Sequence, residues 1–280
     1  MKPERPFERT DRVANEIHSI LGQIQNQYID ISYLGFVTFS KVIISPDLKH
    51  AKVFFGVVNK KKTIENITIE LNKKALALDF ELNKDLPEGV LETIPTLVSL
   101  MVRFDPLTVS YHFLRDYIDA LLESNLNVDL SGGRSFVIPA VYGGNEGPEL
   151  DEVADIMQIR PDQVISGHSE SEQQVMMLGF SAGCSYCGLL PPIWDIPRGK
   201  KINPSVPGGS LLIALRQTVF PASNMPTGWR RIGQSPCLTF DLGKDPNFLL
   251  KPGDKIRFEQ ISSAKAQSIA HDKLWETLEK

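Results

Sequence analysis

The second half of this chain is a series of short apolar runs, each interrupted within a few residues by glycine or proline. Runs of this kind are typical of short β-strands that meet at tight turns. The pattern therefore predicts a β-barrel or a β-sandwich. The runs are Val175–Phe180, Ser210–Leu215, Arg231–Ile232, Cys237–Phe240 and Lys255–Gln260.

The first half alternates between helical and strand-like periodicity. A polar stretch with the sequence Ser-Gly-Gly, over residues 125–134, is the best candidate for a linker to the second half. These segments predict an α/β lobe that precedes the barrel. The predicted helices cover residues 9–27, 65–82 and 109–124, and the predicted strands cover residues 37–45, 51–58, 90–94 and 97–104.

The sequence thus predicts an α+β protein in three parts: a lobe over residues 1–130, a barrel domain over 135–261 and a helical tail over 262–280. The barrel domain is predicted to open with a strand at 136–141 and two short helices at 149–157 and 161–167. In the tail, apolar residues fall on one side of a helix, and packing on its own domain is the favoured interpretation over packing on a partner.

Composition indicates a soluble globular protein, with 42% hydrophobic and 23% charged residues. No window holds the run of about 18 apolar residues that a membrane helix needs, and the first residues are too charged for a signal peptide. Three cysteines, an odd number in a long chain, do not make a disulfide framework. We expect a cytoplasmic protein with no membrane association.

Charge is distributed unevenly along the chain. Residues 1–74 hold 12 Lys and Arg against 8 Asp and Glu, whereas residues 75–280 hold 18 against 26. The asymmetry indicates two parts of different origin. A basic segment is able to meet a phosphate backbone, although a surplus of four charges favours an ordinary solvated face.

An ordered set of short motifs over residues 86–261 resembles the bacterial family that contains KipI, the B-type subunit of 5-oxoprolinase and allophanate hydrolase subunit 1. Each motif is weak alone, but their order over about 175 residues is specific. They include Pro87-Glu88-Gly89-Val90, Arg103-Phe104-Asp105-Pro106, Tyr142-Gly143-Gly144, His168-Ser169, Gly179-Phe180, Val206-Pro207-Gly208-Gly209-Ser210, Gln217-Thr218, Gly228-Trp229 and Pro252-Gly253-Asp254.

This resemblance implies a small α/β lobe followed by a cyclophilin-like β-barrel domain. It also implies function in a heteromeric complex with a paralogous C-type 5-oxoprolinase subunit, which has a related barrel of its own. With a third subunit, such pairs form an ATP-dependent 5-oxoprolinase, which opens the lactam of 5-oxoproline to glutamate. Related modules occur in urea amidolyase systems, and one family member is named for inhibiting a sporulation histidine kinase.

The chain departs from the family pattern around its middle. Ala182 stands where many members have proline, and Cys184 and Cys187 stand where apolar residues are more usual. Arg216 precedes Gln217 where glycine or proline is common, and Val219 replaces a glycine. These departures indicate a divergent subgroup and leave the substrate open.

Residues 5–75 resemble a different family, ribosome-binding factor A, a small KH-type protein that binds the maturing small ribosomal subunit. The most specific stretch runs from Ser45-Pro46-Asp47 through Val53, and Leu71-Asn72-Lys73-Lys74-Ala75 follows it. The resemblance stops in mid-domain, while the second resemblance lacks its first strand. One composite lobe, in which residues 37–58 replace the missing strand, is favoured slightly over a recombined gene.

Candidate site residues fall on the motifs of the barrel domain. His168 is of the residue type best suited to proton transfer near neutral pH, although a loop-bonding histidine is the favoured alternative. Gln217 and Thr218 are of a type that pairs with an amide or lactam edge, and Arg216 offers donors for a carboxylate. The turn Gly208-Gly209-Ser210 offers backbone N–H groups for an anion or a turn geometry of its own. Tyr142 is assigned to substrate binding by its motif.

Several chemistries have no matching motif. The sequence contains no Gly-x-x-x-x-Gly-Lys-Ser/Thr segment, so any ATP is expected to bind through the complex. Cys184 and Cys187 form one isolated Cys-x-x-Cys pair without zinc spacing to a second pair, which predicts no metal site and a structural role.

The resulting functional prediction is a subunit of an ATP-dependent complex that hydrolyses an amide or lactam, acting with a paralogous partner. His168, Gln217 and Thr218 would be catalytic, and Arg216, Tyr142 and the Gly208–Ser210 turn would bind substrate. Two alternatives stay open. One is a regulatory protein that binds a sensor histidine kinase, and the other is a ribosome-associated RNA-binding factor through residues 5–75, although nucleic-acid binding is not the favoured interpretation of the lysines.

Overall fold

A computed structural model describes residues 11–17, 19, 36–44, 51–58, 64–123, 133–269, 275 and 278 of the 280-residue chain. The chain divides into two compact units, residues 1–70 and 71–280. The predicted domain boundaries near residues 130 and 261 stay a prediction. In the described part of the chain, no helix is long and apolar enough to cross a membrane.

Unit 1 contains a helix and a hairpin. Helix α1 covers residues 11–17, and strands β1 (Phe36–Ile44) and β2 (Ala51–Val58) form an antiparallel two-stranded sheet. The predicted hairpin is therefore present, although its Ser45–His50 turn lies outside the described residues. Helix α2 (Ile64–Lys84) begins in unit 1 and continues into unit 2 without a break.

Unit 2 begins with a small lobe. After residue 71, helix α2 buries Ala75, Leu76 and Leu82, which recur at helical spacing. Strands β3 (Val90–Pro95) and β4 (Leu100–Phe104) form a second antiparallel two-stranded sheet, followed by helix α3 (Tyr111–Glu123). Strand β4 begins three residues later than predicted, because the backbone N–H of Thr96 donates to the carbonyl of Ser99 and closes a turn.

The rest of unit 2 is a closed seven-stranded barrel with the strand order β10-β7-β6-β13-β5-β12-β9. Its strands are β5 (Ser135–Tyr142), β6 (Gln173–Leu178), β7 (Ser185–Gly188), β9 (Ser210–Ala214), β10 (Gln217–Phe220), β12 (Arg230–Gln234) and β13 (Lys255–Gln260). The α+β class and the barrel are confirmed. Strand β13 pairs with β5 in parallel, and the antiparallel pairing of β9 with β10 closes the barrel.

Side chains that alternate along the strands fill the barrel interior, with Phe136, Ile138, Ile213, Phe220 and Phe258 all at 2% exposure or less. Helices α4 (Leu150–Met157) and α5 (Pro161–Ser169) pack on this core, as predicted. A second buried cluster lies on the other face of β9 and β10. It includes residues of a two-stranded arm, β8 (Asn203–Val206) and β11 (Met225–Thr227).

Two predicted elements differ from the structure. The apolar run Cys237–Phe240 is a loop in which only Phe240 forms a bridge, to Phe248. Its backbone groups bond to separate partners instead of one strand: the N–H of Cys237 donates to Oγ of Ser235, the carbonyl of Leu238 accepts from Nε1 of Trp275, and the carbonyl of Thr239 accepts from the N–H of Leu249. The tail forms a short helix, α6 (Ser263–Ser268), and beyond Ile269 only residues 275 and 278 are described. Leu278 is buried in the barrel core cluster, in agreement with packing on its own domain.

Candidate functional site

His168 lies inside the closed barrel core, near the end of helix α5, and its side chain is 0% exposed. Its ring stacks on Phe258, with 5.0 Å between ring centroids, and bonds at both nitrogens. Nδ1 is 2.8 Å from the hydroxyl of Tyr142 and Nε2 is 2.9 Å from Oγ1 of Thr218. Burial lowers the pKa of His168 to about 3 and raises that of Tyr142, so both groups are neutral near pH 7.

Thr218 and Gln217 point to opposite faces of β10, because successive side chains alternate along a strand. Thr218 faces the barrel interior, where it is 0% exposed and bonds to His168. Gln217 lies on the outer face, the same face as Val219. A ligand on one face of the sheet therefore contacts only one of these two residues. The predicted site residues divide into an interior group and an outer group.

The interior group is Tyr142, His168 and Thr218. Gln173, on β6, places its Nε2 3.5 Å from Nε2 of His168, and its Oε1 is buried without a hydrogen bond. The contacts of this group join α5 to strands β5, β6 and β10. Its geometry favours a role in holding those strands together, and a catalytic role for His168 and Thr218 stays a prediction.

The outer group centres on Gln217, which is 8% exposed. Its side-chain amide makes no hydrogen bond to any described residue, although an amide is able to make four. Gln217 pairs across the sheet with Gly188, and Gly188 pairs on its other side with Gln174. The amide is not one of the buried polar groups that lack a hydrogen bond, so its polar atoms are open to solvent or to a ligand.

Arg216 lies in the tight turn between β9 and β10, where Leu215 and Arg216 have φ values of 51° and 62°. Two consecutive non-glycine residues in this left-handed region are strained, and such strain is common at functional sites. Nε of Arg216 donates to the carbonyl of Leu190 at 2.7 Å, and the backbone N–H of Leu190 donates to the carbonyl of Arg216. These bonds hold the turn beside Gln217, and carboxylate binding by Arg216 stays a prediction.

The glycine-rich turn lies at the opposite end of β9 from Arg216, about 13 Å along the strand. Its three backbone N–H groups already have acceptors: Gly208 bonds to Asn224, Gly209 to Pro221 and Ser210 to Pro207. The side chain of Ser210 also bonds within this turn, to the carbonyl of Pro207. The geometry favours a structural role for the turn, and substrate binding by Gly208, Gly209 and Ser210 stays a prediction.

Asn72 is a buried polar residue that our sequence reasoning did not select. It lies on α2 with 2% exposure, and its Nδ2 donates to the backbone carbonyls of Met176, at 2.9 Å, and Thr96, at 3.3 Å. The sequence contains a signal for this burial, because Asn72 lies on the apolar face of a predicted helix together with Ala75 and Leu76. It ties α2 to strand β6, next to the outer group.

The cysteines are free and buried. Burial raises the pKa of Cys184 and of Cys237 to about 12 and raises that of Cys187 further. A protonated, inaccessible thiol is a poor nucleophile and a poor metal ligand. The structural role predicted for the Cys-x-x-Cys pair agrees with this environment.

The fold and the outer group define the class of protein: a lobe followed by a closed barrel that has Gln217 on its outer face. Residues 58–250 match the carboxyltransferase domain family, subdomains C and D, and residues 9–99 match the ribosome-binding factor A family. The chain belongs to the carboxyltransferase subdomain C and D family, with an N-terminal segment of the ribosome-binding factor A family. Both predicted resemblances are confirmed.

Similar proteins agree with this assignment. The chain is 38% identical over 187 residues to the B-type 5-oxoprolinase subunit of Bacillus subtilis, covering 62% of this chain and 77% of that protein. For the corresponding 5-oxoprolinase subunit of Haemophilus influenzae the identity is 34% over 174 residues, covering 60% and 81%. A ribosome-binding factor A of Legionella pneumophila is 40% identical over 92 residues, covering 32% and 71%.

Solved structures are similar as well. The crystal structure of TTHA0988 has a TM-score of 0.62 and 29% identity, covering 69% of this chain, and the match spans 38% of that longer chain. The urea amidolyase of Kluyveromyces lactis has a TM-score of 0.59 over 78% of this chain and 15% of its own, at 15% identity, which shows the fold alone.

Proposed function

We propose that this chain is one subunit of a 5-oxoprolinase-type complex, which hydrolyses a small cyclic amide with ATP. The observation that carries the proposal is its 38% identity to a B-type 5-oxoprolinase subunit over 77% of that protein's length. The name of that relative describes one subunit among several. The partner in this proposal is a paralogous C-type 5-oxoprolinase subunit, together with a third subunit.

In this proposal, the outer group binds and orients the substrate. A lactam holds its amide in the cis form, so its N–H and C=O point to the same side. The side-chain amide of Gln217 has a donor and an acceptor on one edge, which matches that pair with two hydrogen bonds.

In this proposal, the interior group has a positioning role. His168 bonds to Thr218, and Thr218 is the neighbour of Gln217 on β10. By fixing Thr218, the buried ring fixes the strand that presents Gln217. Proton transfer to the substrate is then a task for groups elsewhere in the complex, since a closed core admits no substrate.

In this proposal, the assembled complex binds ATP and this chain alone does not. The sequence of this chain has no P-loop, and neither the outer nor the interior group contains a cluster of cationic side chains that would hold three phosphates. ATP supplies the driving force for opening a stable lactam. The residues of this chain hold and orient the amide while that happens.

The test is 5-oxoproline-dependent phosphate release, measured with this chain alone and then with its candidate partner subunits. Activity in the mixture alone is expected, and Gln217→Ala should lower it about tenfold or more, since the change removes two hydrogen bonds to the substrate. An assembled complex that releases no phosphate with any lactam or urea-type substrate would contradict the proposal. The kinase-binding role would then be the next to test.

Ribosome association through the N-terminal segment is a second candidate function. The observation in its favour is the ribosome-binding factor A match over residues 9–99, with 40% identity to the Legionella protein over 71% of its length. This function predicts binding to small-subunit RNA that weakens steeply with salt. Binding that persists after removal of residues 5–75 would contradict it.

A further inference from the structure

Three turns of unit 2 meet at one end of the barrel, which we call the hairpin end. They are the β6–β7 hairpin loop, residues 179–184, the turn between β8 and β9, residues 207–209, and the segment after β10, residues 221–224. Ala222 lies between the other two turns. A Cβ built on Gly183 would be 3.1 Å from Cβ of Ala222, and a Cβ built on Gly208 would be 2.6 Å from the carbonyl oxygen of Ala222.

The sequence of the hairpin end contains no charged residue, although 23% of the chain is Asp, Glu, Lys or Arg. Its solvent-exposed positions are Phe180, Ala182, Pro207, Ser223 and Asn224. Charged side chains normally occupy the exposed surface of a protein, and they are depleted at the centre of protein–protein interfaces, where aromatic residues are enriched. The composition of this surface is therefore typical of an interface centre.

Phe180 has the largest of these exposed side chains, and it is 67% exposed. Its φ is +71°, in the left-handed region that glycine, asparagine and aspartate adopt more readily than a bulky residue. The exposed ring and this backbone conformation both raise the free energy of the isolated chain. A partner that buries the ring would offset the first of these two effects.

The loop that contains Phe180 is fixed by hydrogen bonds at its base. The backbone N–H of Gly179 donates to the carbonyl of Cys184 at 3.0 Å, which closes the loop. The carbonyl of Gly183 accepts a bond of 2.6 Å from the hydroxyl of Thr239, which is buried. Because these bonds order the loop before any partner is present, binding through Phe180 requires little further ordering of the chain.

Charge and chain length favour a different protein over a second copy as the partner. Residues 75–280 carry an excess of eight negative charges, so two copies that met end to end would bring like charges together. In TTHA0988, a region similar to 69% of this chain makes up 38% of a longer chain. A domain of this kind thus occurs joined to further polypeptide, which is a partner different from itself.

We infer that the hairpin end is a docking surface for the partner subunit of the complex, with Phe180 as an anchor that enters an apolar recess on an uncharged face of that subunit. The choice of partner rests on the proposed function. The surface itself rests on the geometry and the charge of this chain. Since no ion pair is made at the hairpin end, the affinity should depend little on salt, in contrast to an association that charges drive.

Calorimetry with the full-length chain and the candidate C-type partner subunit, at low and at high salt, tests this surface. We expect binding whose affinity changes less than about threefold with salt. Sedimentation of the chain alone should show no self-association that depends on Phe180. Absence of binding to the partner subunit, binding that salt abolishes, or self-association that Phe180→Asn removes would each overturn the inference.

Phe180→Asn separates a binding role from a structural one. Asparagine tolerates the left-handed conformation better than phenylalanine, so the midpoint of urea unfolding should stay the same or rise. The affinity for the partner subunit should nevertheless fall at least about tenfold, because the anchor is lost. Leu107→Asn is the control, since Leu107 is 95% exposed in the lobe and its replacement should leave the affinity unchanged. An unchanged affinity in Phe180→Asn would refute the anchor.

Ala182→Glu tests the uncharged character of the surface. Ala182 is exposed two residues after Phe180, so a carboxylate there would lose its water when the partner docks. The affinity should fall at least about tenfold. Ala120→Glu is the matched control, because Ala120 is an exposed alanine on α3 and the change in net charge is the same. Equal losses in the two variants would attribute the effect to net charge and contradict the inference.

The docking surface and the proposed function fail in different ways. A complex that hydrolyses 5-oxoproline and assembles equally well with Phe180→Asn and Ala182→Glu would leave the function intact and remove the surface. A complex that assembles only with an intact hairpin end, but releases no phosphate with any lactam or urea-type substrate, would keep the surface and remove the 5-oxoprolinase assignment.

Discussion

At the scale of single residues, burial determines what each polar side chain is able to do. His168 is fully buried and has partners at both ring nitrogens, while Gln217 is 8% exposed and its amide makes no hydrogen bond to a described residue. A buried group with its hydrogen bonds made stabilises the fold, whereas an amide that is open to solvent retains the capacity to bind a ligand. The two residues therefore serve different purposes although they are linked through neighbouring positions of one strand.

The pH dependence of stability should identify His168 as a core residue. Its pKa in the folded protein is about 3, against an ordinary value of 6.5, so the unfolded chain binds an extra proton between these values. Stability conferred by the neutral ring is complete above pH 6.5 and is lost as the pH falls towards 3. Between pH 7.5 and 5.5 this one group should cost about 1.4 kcal/mol of unfolding free energy.

Urea unfolding at the two pH values measures this effect. In His168→Gln the pH-dependent loss should shrink by that amount, while the variant should be less stable at both values because Tyr142 and Thr218 lose a partner. His112→Gln, which changes an exposed histidine, is the matched control. An unchanged pH slope in His168→Gln would show that the ring is not held neutral in the core.

At the scale of elements, the turn before β9 requires a glycine because another part of the backbone lies very close to it. Gly209 has φ +81°, and a Cβ there would lie 2.4 Å from the carbonyl of Ser235. Gly253 has φ +96° with nothing within 4 Å of the same position. Gly253→Ala should therefore cost about 1–2 kcal/mol from backbone strain alone, and Gly209→Ala should cost clearly more.

Chemical denaturation of the two variants separates strain from steric conflict. Both substitutions add one methyl group at a positive φ, so the difference in their unfolding free energies reports the close contacts of Gly209 with Ser235 and Gln234. Equal losses would mean that the loop containing Ser235 moves aside, and that the turn tolerates a side chain.

The elements themselves were largely predictable, because their signals are local. Helix α2 was predicted over 65–82 and spans Ile64–Lys84, and β2 was predicted with the bounds that it has. Alternation along a strand would also have separated Gln217 from Thr218 once β10 was recognised. The tie between helix α2 and strand β6 was not predictable, since it depends on a bond from Asn72 to a carbonyl 104 residues away.

At the scale of the whole molecule, one continuous helix belongs to both family matches. The two matches overlap over residues 58–99, which contain all of α2. The first turns of that helix lie in unit 1, and the apolar face after residue 71 is buried in unit 2, where Asn72 bonds to Met176. The segment that resembles a ribosome-binding protein thus contributes a helix to the domain with the candidate site.

Charge at this scale gives the sharpest test of the second candidate function. Residues 1–74 carry an excess of four positive charges, and the lysines at 60–62 form its densest basic run, whereas residues 75–280 carry an excess of eight negative charges. If the N-terminal segment binds RNA, Lys60, Lys61 and Lys62 meet phosphates, and their replacement by glutamine should reduce both the affinity and its salt dependence. Replacement of Lys200, Lys201 and Lys251 by glutamine changes the net charge equally and is the control. Filter binding to small-subunit RNA at several salt concentrations distinguishes the two cases. A shallower dependence of affinity on salt in the first triple variant alone supports a phosphate contact in this segment. Equal changes in both variants would show that net charge alone explains the binding.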